Sequence, residues 1–524
     1  MNPTRRTLLG GLAAGGALTV TGAVPAQASP PLVESPVVRP GDPQYPDLAR
    51  GINQRFVGRP AEVHVAGGTG DVAAAVRRAV RTGRRPAVRS GGHCFEDFVA
   101  GPDVDLVVDL SGMDRVTWDA ARGAFAVEAG ARLENVYERL FKSWGVTIPG
   151  GSCPTVGVGG HFAGGGYGPL NRMFGLTVDH LDAVEVVVAG PDGDVRTVRA
   201  TRAAGDPAND LWWAHTGGGG GNFGVVTRYW LRTPGTPAVP RHALPTPPSE
   251  VLVATVIWPW PALDRDAFVR LLRNYGGWYA AHNAPGGPGT EVYSHLATFH
   301  ASGGAVALNV QVAAGAGADA TLDGFLRAVG EGVPAFTVTE RRRLPWLLAT
   351  RWSGFADRPS GRRIKGKSAV HRAALTDGQA QALHRALTRP DYQHPGSGVL
   401  IAPHGGRVNA VASDATADPH RDGVLMLLYV SEWTDAAQDA THIAFLRNLY
   451  RDVYAESGGV PVSGGALINY ADVDLRDPAW NTSGVAWHEL YYRANYPRLQ
   501  RAKRRWDPTG TFRHALGVDS GGPR

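Results

Sequence analysis

Pro149-Gly150-Gly151-Ser152-Cys153-Pro154-Thr155-Val156-Gly157-Val158-Gly159-Gly160-His161-Phe162-Ala163-Gly164-Gly165-Gly166-Tyr167-Gly168 is the stretch on which the fold turns. Nine of its twenty residues are glycine, a density that no ordinary packing role requires, since glycine brings no side chain to a core and loses the most freedom on folding. A shorter glycine loop lies upstream. Ser90-Gly91-Gly92-His93 follows the strand-like Pro86-Ala87-Val88-Arg89 and offers consecutive backbone N–H groups unshielded by side chains, the means by which a loop approaches a pyrophosphate. Taken alone, those four residues better suit a tight turn that merely needs positive φ. A third run, the five glycines 217–221, precedes Asn222-Phe223-Gly224 and an apolar strand over 225–231.

Around these loops the pattern is that of α/β units. Residues 61–66 alternate as a strand, and a helix opens at Asp71 with Val72, Ala75, Val76, Ala79 and Val80 on one face. Leu133, Val136, Tyr137, Leu140, Phe141 and Trp144 mark a second amphipathic helix. Strands over 184–188 and 195–198 flank Pro191-Asp192-Gly193-Asp194 and read as an antiparallel hairpin. Pro234-Gly235-Thr236-Pro237 breaks the pattern and sets a domain boundary. Beyond it, strands over 251–258, 306–312 and 424–430 alternate with helices over 265–282 and 437–456, which predicts an antiparallel sheet covered by helices. The aromatic-rich stretch 464–518 reads as a segment returning to a functional site.

The 524 residues and 43% apolar content suffice for two globular domains. Thr4-Arg5-Arg6-Thr7-Leu8-Leu9, an apolar stretch to Val24 and then Ala26-Gln27-Ala28 form a twin-arginine export signal over 1–28, too short and too rich in Gly and Ala for a stable membrane anchor. The expectation is a secreted protein, and export of this kind hints at a cofactor acquired before crossing. Residues 29–45 are Pro-rich and read as an extended lead-in. The net charge of +6 and the scattered basic runs suit solvated faces, not nucleic acid. No Cys or His cluster has metal-ligand spacing, so no metal is expected. In an exported protein Cys94 and Cys153, the only cysteines, suit a disulfide on composition alone.

The two glycine loops, together with Trp212-Trp213-Ala214-His215-Thr216, Ile468-Asn469-Tyr470, Tyr491-Tyr492 and Asn495-Tyr496-Pro497-Arg498-Leu499, are similar in type and order to one family. The chain resembles the vanillyl-alcohol-oxidase superfamily and, within it, the berberine-bridge-enzyme-like oxidases. The resemblance implies an α+β fold: a PCMH-type FAD-binding domain of two α/β subdomains over 46–235, a substrate domain over 236–460 and a C-terminal segment over 461–524 that closes on the flavin. No Gly-x-Gly-x-x-Gly stands between an early strand and helix with an acidic residue suitably downstream, as a nicotinamide-type dinucleotide fold would require.

Residue by residue, the resemblance implies FAD bonded to His93 through its benzenoid methyl carbon and to Cys153 through the neighbouring ring carbon, which argues against a Cys94–Cys153 disulfide. Arg89, Ser90, Gly91, Gly92 and Cys94 belong with the first attachment point, and Val156, Gly157, Gly160 and His161 with the second. Gly218, Asn222, Gly224 and Val225 come from the third glycine segment. Asn495 is aligned to meet the pyrimidine edge of the flavin, although a surface amide is an equal reading. His161 is a flavin-environment residue or a satisfied core histidine. Tyr470 takes the position of the catalytic base, with a packed core tyrosine on a strand edge as its alternative, and Tyr167 lies on the substrate side. Where many relatives carry a tyrosine before a Gly-Gly pair, this chain has His404, expected to replace a substrate-facing phenol.

The implied reaction is oxidation of a secondary alcohol or sugar hemiacetal carbon, with O2 reduced to H2O2, on a small alcohol, sugar or glycosylated natural product. A valine at 156 resembles the oxygen-reactive members. The alternatives are a desaturase or oxidative cyclase using the same hydride transfer, and a flavin-carrying protein without turnover.

Overall fold

In the computed structural model the described residues are 35–313, 315, 317–358 and 361–521. The export signal falls on residues outside this set. The strands, in chain order, are β1 (Val37–Val38), β2 (Glu62–Val65), β3 (Pro86–Arg89), β4 (Leu106–Asp109), β5 (Val116–Asp119), β6 (Ala124–Glu128), β7 (Leu181–Ala189), β8 (Val195–Thr201) and β9 (Val225–Leu231). There follow β10 (Glu250–Pro259), β11 (Val292–Phe299), β12 (Ala305–Ala313), β13 (Thr337–Pro345), β14 (Arg363–His371), β15 (Ser397–Pro403) and β16 (Leu425–Trp433).

Three sheets result, ordered β1-β2-β4-β3, β5-β6-β9-β7-β8 and β13-β10-β12-β11-β15-β16-β14. The first is parallel except at β1, which pairs antiparallel with β2. The lead-in is therefore more than a tether: Val38 is buried with Val63, Ala87 and Val107, so part of it closes a sheet edge. The other two sheets are antiparallel throughout. The helix Thr69–Arg81 buries Val72, Ala73, Ala75, Val76 and Ala79, the stripe its sequence announces. The helix Leu133–Trp144 ends at Gly145, whose φ of 73° is the left-handed conformation a side chain resists.

The third sheet sets up the site through its period of two. On β16, Leu425, Leu427 and Tyr429 join the main core with the helix Asp439–Val453, while Met426, Leu428 and Val430 line a cavity. On β15 Val399 and Ile401 go to the core, and Leu400 and Ala402 to the cavity. On β11 Val292 and Leu296 go to the core, and Tyr293 and His295 to the cavity. Strand alternation thus builds one wall of the cavity, and the glycine loops build the other.

Candidate active site

The opposite wall is made where two backbones touch. A Cβ on Gly91 would lie 2.2 Å from the Gly157 nitrogen, and one on Gly157 would lie 2.0 Å from the Gly91 nitrogen, so the two loops meet only because neither carries a side chain. Ser90 fastens the junction: its hydroxyl donates to the Ala129 carbonyl (2.6 Å) and accepts from the Gly159 N–H (3.3 Å). Arg89 pairs with Asp109 and donates to the carbonyls of Leu48 and Arg50, holding the chain that passes over the loop. The cavity between loops and sheet measures about 730 Å³, within the range of small-molecule and cofactor sites. Gly92, Gly160 and Gly224 also line it. A Cβ on Gly160 would meet nothing within 4 Å, so a side chain there would project into the space that a cofactor would fill.

The two residues implicated in attachment stand together. His93 Nε2 lies 2.9 Å from Thr155 Oγ1, and Cys153 Sγ lies 3.8 Å from the same oxygen. Burial, reinforced by the charge of Arg132, lowers the His93 pKa to about 4 and leaves a neutral imidazole. Both cysteines are free thiols. Cys153 lines the cavity and donates to the Asp357 carbonyl (2.8 Å), and burial raises its pKa despite hydrogen bonds from Thr155. Cys94, also on the cavity wall, is pushed up to about 12 by burial and stays a thiol. The disulfide suggested by composition does not form.

Three tyrosines line the cavity: Tyr167, Tyr293 and Tyr470. Tyr167 donates to the Pro403 carbonyl (3.0 Å), and Tyr293 contacts both Tyr167 (3.1 Å) and His295 Nε2 (3.0 Å). Only the Tyr470 hydroxyl has no hydrogen-bond partner among the described residues. Tyr470 ends a single 3-10 turn, Ile468–Tyr470, with its ring 5.8 Å from that of Phe95, so the strand-edge reading does not hold. Burial raises its pKa to about 12, with the nearby Cys153 adding to the effect. Two residues further on, Asp472 accepts from Lys365 (2.8 Å), and Lys365 also contacts Glu96 (2.9 Å). One buried ammonium on β14 therefore ties the loop after His93 to the segment after Tyr470. His161 lines the cavity and accepts the Gly151 N–H at Nε2 (2.9 Å); burial lowers its pKa to about 4. Val156 is on the cavity wall as well.

Other expectations need correction. His404 does not face the cavity: β15 ends at Pro403, and the ring turns behind Tyr167, stacked at 5.7 Å with both nitrogens buried and without a partner among the described residues. The residues that β15 does present there, Leu400 and Ala402, carry no acid–base group. Asn495 does not reach the cavity; its amide donates to the carbonyls of Ser413 (2.7 Å) and Thr416 (3.0 Å). Asn222 and Gly218 also lie off the cavity wall, the Asn222 amide clasping the Gly218 carbonyl (2.9 Å) and so shaping the loop whose Gly219, Gly220 and Gly221 do line it. Val225 is core at the start of β9, and its neighbour Val226 lines the cavity. Tyr293, His295 and Thr155 went unnoticed in the sequence. The alternation Val292-Tyr293-Ser294-His295-Leu296 carries the signal for the first two.

Comparison with known proteins agrees with this geometry. Residues 60–199 match the FAD binding domain family and residues 466–519 the berberine and berberine-like family. The chain is 46% identical to aclacinomycin-N/aclacinomycin-A oxidase of Streptomyces galilaeus, covering 98% of each chain, and 31% identical to hexose oxidase of Chondrus crispus, covering 91% of this chain and 93% of that one. Among solved structures, a glycopeptide hexose oxidase complexed with teicoplanin superposes with a TM-score of 0.88 at 46% identity, covering 92% of this chain and 98% of the other. Fold, cavity and relatives define an FAD-dependent oxidase. The chain belongs to the berberine-bridge-enzyme-like FAD-linked oxidases of the vanillyl-alcohol-oxidase superfamily.

Proposed function

We propose that this enzyme oxidises a secondary alcohol or the hemiacetal carbon of a sugar or glycosylated natural product, on an FAD held covalently by His93 and Cys153, with O2 as the final acceptor. The observation that carries the reading is the uncommitted Tyr470 hydroxyl, open to a cavity whose wall also bears His93 and Cys153. The aclacinomycin and hexose oxidases similar to it support the substrate class. When bound, FAD supplies the two-electron acceptor for the hydride leaving carbon.

The chain's own task is the proton. The substrate O–H proton passes to Tyr470 as the C–H bond breaks, and Tyr470 must be a phenolate to take it. Burial, with Cys153 adding to it, holds the phenol near 12, so the competent fraction grows with pH. His93, neutral above about pH 4, is in the form that bonds to an electrophilic carbon. The Arg5-Arg6 signal supports export by the twin-arginine route, which fractionation of the producing cell would test.

The decisive experiment is anaerobic mixing of purified holoprotein with hexoses, oligosaccharides and glycosylated aromatic polyketides, following flavin bleaching and then peroxide on admitting air. Bleaching by one member, with a ketone or lactone product, is the expected result. A new ring or double bond would mark a cyclase or desaturase instead, and a flavin reduced by dithionite but by no alcohol would overturn the reading.

A further inference from the structure

The cavity holds a second polar device apart from Tyr470. Tyr167, Tyr293 and His295 form a hydrogen-bonded row that ends in the cavity. Each phenol has one proton to give, and that limit fixes every proton in the row. Tyr167 donates to the Pro403 carbonyl (3.0 Å), an acceptor that has nothing to return. Tyr167 can then only accept from Tyr293 (3.1 Å), so the Tyr293 proton is spent there. The Tyr293 oxygen, 3.0 Å from His295 Nε2, can only accept, and Nε2 must carry the hydrogen. The opposite nitrogen, Nδ1, is left as a bare lone pair with no hydrogen-bond partner among the described residues.

Position and rigidity both favour use of that lone pair. His295 projects from the cavity face of β11 and is clamped edge-on between Tyr293 (5.3 Å between centroids) and Phe355 (4.7 Å). Tyr167, Tyr293 and Tyr470 pack in one cluster, so the row and the proposed base serve the same space. Burial holds the imidazole near a pKa of 4, neutral under ordinary conditions. Phe355, the ring packed against it, offers no donor, and Leu400, Ala402 and Met426 are apolar members of the same cavity lining. A lone pair kept unpaired among apolar walls costs free energy unless a ligand donates to it.

We propose that His295 is a specificity-determining residue: the Pro403–Tyr167–Tyr293 row locks it as the Nε2–H tautomer, and Nδ1 accepts a hydrogen bond from a substrate hydroxyl other than the one being oxidised. The ligand class is a polyol, such as a sugar ring, and the inference rests on the alcohol-oxidising function given above. A pocket built to receive a hydroxyl discriminates against an analogue that lacks it, because the acceptor is then left dry. Tyr293 acts here through His295, as its positioning residue.

Two measurements on the holoenzyme test this. Nitrogen-15 NMR of histidine-labelled protein, assigned by comparison with His295→Phe, should show His295 with Nε2 protonated and Nδ1 bare at neutral pH. Tyr293→Phe, which removes the acceptor for Nε2–H, should mix the tautomers. Binding of D-glucose and its 2-, 3-, 4- and 6-deoxy analogues, read from perturbation of the oxidised flavin spectrum, should show one analogue about tenfold weaker on the wild type. His295→Phe should erase that preference, and where the sugar is turned over the change should fall on KM more than on kcat. A protonated Nδ1, an equal wild-type response to all five sugars, including no response, or a preference that survives His295→Phe would overturn the proposal. Failure of the alcohol-oxidising reading would look different: no bleaching by any sugar, with the binding preference and its loss in His295→Phe intact.

Discussion

Tyr470 and Tyr167 are both cavity tyrosines that the sequence singles out, and their hydrogen bonds separate them. Tyr167 has given its proton to Pro403, whereas Tyr470 keeps an open hydroxyl. Tyr470→Phe, which removes one oxygen and preserves the ring beside Phe95, is expected to lower flavin reduction by about 10²-fold or more while FAD remains attached. The sign of the pH effect follows from burial. A phenol held near 12 is mostly protonated at neutral pH, so wild-type reduction should rise with pH across the neutral and mildly alkaline range, and Tyr470→Phe should flatten that rise. Stopped-flow reduction under anaerobic conditions reads both, and a pH-independent wild type would place the base elsewhere. The two residues proposed to hold the flavin can be separated in the same manner. His93→Ala and Cys153→Ala should each retain a single covalent link, so acid precipitation would leave yellow protein in both single variants and colourless protein only in the double. At this scale motif matching located His93, Cys153, Tyr470 and Val156 on the cavity wall but misplaced His404 and Asn495. Those two depend on where a strand stops and which carbonyls a loop presents, and neither is written in residue type.

The elements that carry these side chains were legible in proportion to their periodicity. The helical stripes over 72–80 and 133–144 and the hairpin of β7 and β8 emerge from spacing alone, because each satisfies its pattern within one local segment. The meeting of the first two glycine loops does not, for it joins residues 66 positions apart through backbone contact, and sequence reveals only that both partners are glycine. The contact makes a sharp prediction. A Cβ on Gly157 would sit 2.0 Å from the Gly91 nitrogen and 2.2 Å from the Ser90 hydroxyl oxygen, neither of which is the yielding tip of a long side chain. Gly157→Ala should therefore push the loops apart, disturb the seat of His93 and give protein with little bound flavin. Gly160→Ala adds the same methyl group where the protein offers no contact within 4 Å, so its effect should fall on the flavin's environment and not on the loop junction. Absorbance ratios of the purified variants, with circular dichroism as the control for folding, distinguish the two outcomes.

Across the whole molecule, the feature most exposed to solution conditions is a set of buried neutral histidines. Burial lowers His161, His180, His215, His295 and His371 to about 4, and His404 and His514 to about 3. Each regains an ordinary pKa near 6.5 on unfolding. Between the folded and unfolded values the unfolded chain binds more protons, so the contribution to stability is whole above about pH 6.5 and drains away as pH falls toward 4. The depressed carboxylates work in a lower window: Asp418, held down chiefly by His420 against its own burial, loses its contribution only below the ordinary carboxylate range. Melting temperature should accordingly stay level from pH 8 to about 6.5 and then drop by several degrees by pH 5, before carboxylate protonation begins. His404 identifies the cause. With both ring nitrogens buried and unpartnered among the described residues, it gains no hydrogen bond from them in return for its desolvation. His404→Phe keeps an aromatic ring against Tyr167 and removes the titrating group, so it should narrow the difference in melting temperature between pH 7.5 and pH 5. Calorimetry of the two proteins at those pH values decides the matter: an undiminished difference in the variant would mean that the imidazole is already hydrated in the folded state and that the acid sensitivity arises at the other buried histidines.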